Sequence, residues 1–281
     1  MFPHCMIACL ATAALLGLAA PTAAAADATT LTIVDAKGGS HAFPRDTLLA
    51  HPDATTVTVT GDPSYGAAAP AFRAIPLTRV MAGLPVDGAD ILKATALDGF
   101  VAQLPAARVL SDDPAGPVAY LAVEDPAQPW PKFKDKDYGA GPFYLVWRNA
   151  DKGRIGPEFW PYQTIRLELT ESVAKRYPKI LVSESLAADH PARRGQALFV
   201  DNCFTCHKMN GNGEATVGPD LNLPMNPTEY FQPAVLPRYI RDPASVRVWD
   251  DQKMPPVSPD ILKDSDIADI VAYLGHMAGR R

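Results

Sequence analysis

Three residues in this chain have the types and spacing to do chemistry together. In Cys203-Phe204-Thr205-Cys206-His207 two thiols stand three positions apart and an imidazole follows at once. Thiols so spaced can add to the two vinyl groups of one haem, and the adjacent imidazole can then reach the iron from below the ring. C-x-x-C-H is the spacing of covalent c-type haem attachment. Other chemistries also use C-x-x-C: a structural disulfide, a thioredoxin-like redox pair, or half of a zinc site. A redox pair would follow a strand in a βαβ unit, and none is legible here. A zinc site would want a second ligand pair, yet the only other cysteines, Cys5 and Cys9, stand at the start of the chain. One covalently bound haem is therefore expected, with His207 as a ligand to its iron.

The iron needs a sixth ligand or an open site. A thioether favours ferrous over ferric iron and raises the potential. Four methionines follow the motif. Met209 is two residues from His207 and cannot reach the opposite face. Met277 is near the chain end, and Met225, in a proline-rich loop, stays open. Met254 is preferred, because Lys253-Met254-Pro255-Pro256 is an irregular stretch that two prolines stiffen. Gly218-Pro219-Asp220-Leu221 is the other loop of interest. A metal-bound histidine donates its second N–H to a carbonyl or carboxylate. Pro219 can offer its carbonyl to His207 and its ring to a haem; the plain alternative is a loop turn.

Two helices are expected to position the motif. Pro191 suits a first helical turn, where a missing N–H costs nothing, and Arg193 to Val200 follow. Near the end of the chain Ile267, Ile270, Val271 and Leu274 recur at helical spacing, with Asp264 or Ser265 as the expected cap. Gly195 is small enough to let these helices cross closely, with Phe199 and Tyr273 at the contact.

Upstream, Met1 to Ala26 carries no Asp, Glu, Lys or Arg, holds an apolar run from Ile7 to Leu18 and ends in alanines. That is the pattern of a secretory signal peptide, with cleavage expected after Ala26 and export to the periplasm. Nothing later is long and apolar enough to span a bilayer. The remaining chain exceeds one small haem domain, so two domains are expected: 27–178, then a linker at 179–186, then 187–281. A net charge of −5 argues against a nucleic-acid partner, and 28 prolines indicate loops rather than long helices.

Residues 27–178 read as a β-rich α+β domain. Leu31–Val34, Thr56–Thr60, Val118–Val123, Phe143–Trp147 and the alternation Ile165, Leu167, Leu169 are expected strands. Ile91–Leu97 and Phe100–Leu104 flank Asp98-Gly99, a hairpin signal. Short helices are expected at Leu77–Met81 and Pro105–Leu110, and a helical link at Glu171–Tyr177. His41 and His51 read as surface or core histidines rather than ligands. Trp130, Trp147 and Trp160 read as packing, and Lys132, Lys134 and Lys136 as a solvated loop that could serve docking.

Taken in order, the Cys203–His207 pentapeptide, Val217-Gly218-Pro219-Asp220-Leu221, Tyr239-Ile240-Arg241-Asp242-Pro243, Lys253-Met254-Pro255-Pro256 and Ala272-Tyr273-Leu274 resemble a class I cytochrome c domain. The resemblance implies an all-α fold, His/Met ligation by His207 and Met254, and one-electron transfer. It also makes Trp249 similar to the aromatic residue near a haem propionate. Phe72-Arg73-Ala74-Ile75-Pro76-Leu77, Ala96-Leu97-Asp98-Gly99-Phe100 and Gly139-Ala140-Gly141-Pro142-Phe143 resemble the molybdopterin-binding core of the sulfite oxidase superfamily. Catalytic members of that superfamily bind molybdenum through a cysteine thiolate. This region has no cysteine, so bound molybdopterin is not expected.

The leading expectation is a periplasmic monohaem electron carrier exchanging electrons with redox proteins such as a dehydrogenase or oxidase, its first domain docking a partner or positioning the haem. A haem-fused oxidoreductase with a substrate- or cofactor-binding first domain is the alternative. A ligand-gated haem sensor is a third possibility.

Overall fold

A computed structural model describes residues 29–281; the export segment expected at Met1–Ala26 lies outside the described residues. Among the described residues nine strands form two sheets. They are β1 (Thr30–Val34), β2 (Ser40–Pro44), β3 (Thr55–Val57), β4 (Phe72–Pro76), β5 (Ile91–Ala96), β6 (Val101–Pro105), β7 (Val118–Val123), β8 (Phe143–Arg148) and β9 (Thr164–Thr170). One sheet has the order β2-β1-β9-β5-β6 and the other β3-β4-β7-β8. All neighbours are antiparallel except β1 and β9, where Ile33 pairs with Leu167 in parallel register. The two ends of the β-rich region are thereby joined at the middle of one sheet.

The burial of each strand follows its sequence. β7 (VAYLAV) is buried throughout and β8 (FYLVWR) up to its last residue, as continuous apolar runs require. β5 and β9 alternate and keep one wetter face. Asp98-Gly99 makes the β5–β6 turn: Gly99 has φ +84° and the Asp98 carboxylate accepts from Phe100 N–H. β2, β4 and β6 each end in proline (Pro44, Pro76, Pro105), and each proline is followed by one helical turn, α1 (Arg45–Leu49), α2 (Leu77–Val80) and α3 (Ala106–Val109). A ring-locked φ near −55° with extended ψ lets the chain leave a strand and start a helix without a side-chain cap.

The remaining helices are α4 (Val173–Arg176), α5 (Pro191–Asn202), α6 (Pro227–Tyr230), α7 (Leu236–Arg241) and α8 (Asp264–Ala278). α5 and α8 cross at Gly195, with the Phe199 and Tyr273 rings 5.1 Å apart. α8 is capped one residue earlier than expected. Lys263 is the N-cap, Asp264 opens the helix, and Asp266 accepts the Lys263 N–H. A carboxylate three residues into the helix takes that donor and also suits the positive end of the helix dipole.

A first apolar core fills the sheets, including Trp147, Trp160, Phe72 and Tyr144. A second fills the helices and takes in Val173, Ile180 and Val182, so the segment read as a link and linker is packed. Tyr273 Oη donates to the Ile180 carbonyl at 2.8 Å. Ile91, the first residue of β5, belongs to this second core, which brings one end of that strand onto the helices. Among the described residues no helix is long and apolar enough to cross a membrane.

Candidate functional site

The motif is wound directly onto the end of α5. Cys203 is its C-cap, and its N–H and that of Phe204 both donate to the Phe199 carbonyl, at 2.8 and 2.9 Å. The N–H groups of Cys206 and His207 then donate to the Cys203 carbonyl. Phe204, buried between Phe199 and Tyr177, anchors this turn from inside. Both cysteines are free thiols, and burial pushes both above the ordinary thiol range, Cys203 to about 12.

The following loop returns to the motif and aims the imidazole. Gly218 N–H donates to the Cys206 carbonyl at 2.8 Å, and Leu221 N–H to the Lys208 carbonyl at 2.9 Å. His207 Nδ1 lies 2.8 Å from the Pro219 carbonyl oxygen. A carbonyl can only accept, so Nδ1 carries the hydrogen and Nε2 keeps its lone pair for a metal. Burial holds the imidazole below the ordinary histidine range, against the Pro219 carbonyl and Asp220, which favours the neutral ligand form. A Cβ at Gly218 would stand 2.5 Å from His207 Cε1 and 2.7 Å from Nδ1, so only glycine lets the loop lie this close.

Three asparagines that sequence reasoning missed lock this loop. Asn222 Nδ2 donates to Asn210 Oδ1 and to the Met277 carbonyl; Asn226 Nδ2 donates to Asn222 Oδ1 and the Leu274 carbonyl; Asn210 Nδ2 donates to the Lys179 and Arg280 carbonyls. All three are buried, and their amides tie the loop to carbonyls in and just after the last turns of α8 and at Lys179. In sequence they resemble ordinary turn asparagines, and no local pattern separates them.

Met209 and Met277 are fully buried in the second core, whereas Met225 is exposed and Met254 is half-buried in an irregular stretch. Arg241, from Tyr239-Ile240-Arg241-Asp242-Pro243, straps that stretch down. Its guanidinium donates to the carbonyls of Val257 (2.6 Å) and Leu262 (2.5 Å) and pairs with Asp264, and its own carbonyl accepts Val257 N–H. Trp249 is 43 % exposed, with the Arg247 guanidinium 5.1 Å from its ring centre.

The β-rich region meets the motif in two places. Glu214, between His207 and Pro219 in sequence, accepts from Tyr177 Oη (2.6 Å), Lys93 of β5, Gln103 of β6 and Arg176. Burial raises its carboxyl, but Tyr177, Lys93 and Arg176 outweigh that and hold it below the ordinary range. Glu158, in the turn Pro157–Phe159 before β9, bears on both thiols, and its Oε1 is buried without a hydrogen-bond partner. His41 pairs with Asp35 at 2.7 Å and His51 accepts from Asp53 N–H, both away from the motif. Lys132, Lys134 and Lys136 are exposed, while Phe133 between them packs on Tyr65 and Tyr162. Among the described residues no three His, Cys, Asp or Glu side chains are grouped to hold a metal ion.

These residues fit a c-type haem. The thiols follow the helix end, the imidazole presents the correct nitrogen, and glycine leaves room behind it. Among the described residues, six of the eight exposed large apolar side chains, Val217, Leu223, Met225, Tyr230, Val248 and Trp249, lie on the loops and the short helix α6 that follow, as an apolar crevice for a porphyrin requires. Residues 192–278 match the family described as Cytochrome c. No curated protein matches the chain. The carboxy-terminal part of the chain is a cytochrome c domain, which implies haem c and a haem-based electron-transfer role.

Proposed function

We propose, with that domain as premise, that the chain is an exported, periplasmic monohaem cytochrome passing single electrons between redox proteins, cut after Ala26 and divided at 27–178 and 187–281. The observation that carries this reading is the aimed imidazole: His207 bonded through Nδ1 to Pro219, directly after two free thiols.

Cys203 and Cys206 would hold the haem covalently, each through one thioether. His207 Nε2 and the Met254 sulfur would hold the iron, and Pro219 and Trp249 would pack against the haem. The bound haem supplies one-electron exchange at iron. The chain's own residues would hold the haem, orient the imidazole and keep water from the iron.

We assign the β-rich region a docking or positioning role. Its fold is read as that of the sulfite oxidase core without the molybdenum-ligand cysteine. Support for positioning comes from Glu214 and from the Arg154–Asp266 pair at 2.9 Å, which tie the sheet to the helices. The test is spectroscopy and metal analysis on the exported protein. A pigment that survives acid acetone, a low-spin reduced spectrum and one iron per chain without molybdenum are expected. A high-spin spectrum with Met254 intact would refute the ligand assignment.

A further inference from the structure

Glu158 and Asp62 each have a buried carboxylate oxygen without a hydrogen-bond partner, and of the two only Glu158 bears on the motif cysteines. It follows Gly156 in a tight turn whose Phe159 is fully buried, and Trp147 Nε1 donates to the Phe159 carbonyl at 2.8 Å. The backbone of this turn is therefore firmly seated, and the half-buried Glu158 side chain leaves it with Oε1 turned inward. α3 presents Arg108, whose guanidinium stacks 4.9 Å from the Phe159 ring centre and donates to the Arg154 carbonyl. α5 presents Asp201, and the motif presents Cys203 and Cys206. Neighbouring β6 carries no ionisable side chain. Arg154, the other nearby cation, has its guanidinium on Asp266. Two carboxyls thus share one arginine, and Glu158 Oε1 has no hydrogen-bond partner at all.

We propose that Glu158, a residue of the β-rich domain, is a proton-binding site linked to the oxidation state of the haem carried by Cys203 and Cys206. The inference rests on the haem reading above. A carboxylate oxygen that has lost water and has no donor, as Glu158 Oε1 has none, depends on nearby positive charge. Ferric haem supplies one unit more of it than ferrous haem. Burial has already brought this carboxyl to about 7 against the pull of its own backbone N–H, with Asp201 raising it further and Arg108 opposing, so a modest change in charge shifts its occupancy at neutral pH. In the coupled step one electron arrives from a one-electron redox mediator, which is oxidised. The ferric centre is reduced by that electron. One proton from solvent forms one O–H bond on Glu158, and no other bond changes.

Removing a unit charge beside a desolvated carboxyl tightens proton binding by roughly tenfold or more. For a one-electron couple each factor of ten moves the midpoint potential by about 59 mV. The potential of the wild-type holoprotein should fall as pH rises through neutrality and level off on both sides. In Glu158→Gln the fall should vanish, with the potential held near the wild-type acid value, because the amide stands in for the neutral acid. Asp201→Asn should keep the fall. An infrared difference spectrum should show a protonated-carboxyl band gained on reduction in wild type and absent from Glu158→Gln. A colourless product, or pigment lost to acid acetone, overturns the haem reading and this inference with it. A red protein whose potential is flat, whose fall survives Glu158→Gln, or whose wild-type infrared spectrum gains no carboxyl band overturns this inference alone.

Discussion

Gly195→Ala is a severe perturbation for a single methyl group. The new Cβ would sit on the Asp269 carbonyl, 2.5 Å from its carbon and 2.8 Å from Tyr273 Cβ. Ordinary carbon contacts are about 3.5–4.0 Å, so α5 and α8 must separate by roughly 1 Å. A gap of that size forfeits up to about half of each ~0.1–0.2 kcal/mol atom pair across the seam. The seam includes Phe199, Ile270, Tyr273 and Leu274, all buried; about 60 affected pairs give a loss of ~4 kcal/mol. Alanine returns about 1 kcal/mol of helix propensity. The net cost is about 3 kcal/mol, at the upper end of overpacking effects. Gly275→Ala is the control on the same helix: its Cβ would meet only Thr228 Cγ2, at 4.0 Å. It should be neutral or stabilising by up to ~1 kcal/mol. Denaturant unfolding followed by haem absorbance measures both. Equal stabilities for the two variants would refute the argument that backbone approach at Gly195 sets the helix crossing.

Two further outcomes are expected. Arg241→Met removes charge-assisted bonds worth about 1.5–3 kcal/mol each from the Met254 stretch, so sulfur–iron charge-transfer absorbance should weaken and carbon monoxide should bind the reduced protein; an unchanged spectrum would show that the strap is not needed. Burial holds Glu158 near 7, above the ordinary 4.5, so the folded protein binds this proton more tightly than the unfolded chain. The stability linked to it is whole below about 4.5 and is lost as pH rises through about 7, a span worth ~3 kcal/mol. Glu158→Gln should therefore unfold like wild type near pH 4–5 and resist denaturant better than wild type at about pH 8–9; parallel pH curves for the two proteins would contradict this.

Local chemistry was legible in the sequence and distant pairing was not. Strong apolar runs gave β7 and β8, the Asp98-Gly99 turn gave the hairpin, and 3.6-residue spacing gave α8, because each signal lies within a few neighbouring residues. β2, β4 and α1 escaped notice: β2 (SHAFP) has no fully buried residue, β4 (FRAIP) breaks alternation because Ala74 and Ile75 are both buried, and α1 (RDTLL) is too short to set a period. The parallel union of β1 with β9 joins residues more than a hundred positions apart, beyond any local pattern. At the site, C-x-x-C-H and the Pro219 loop were readable from residue types. Glu158, Glu214 and the asparagine ladder were not, since their roles arise only when remote segments meet.

The bonds of Glu214 bear on how the two halves can be separated. The acid sits on the very loop that orients His207, yet Lys93, Gln103, Arg176 and Tyr177 all come from outside residues 187–281. A fragment cut at residue 187 would leave an anion stripped of its counter-charges in the middle of the segment that steers the imidazole. The tilt of that ring is thus common property of both halves, and swapping this haem unit onto a foreign partner would carry over the ligands without the scaffold that trims them.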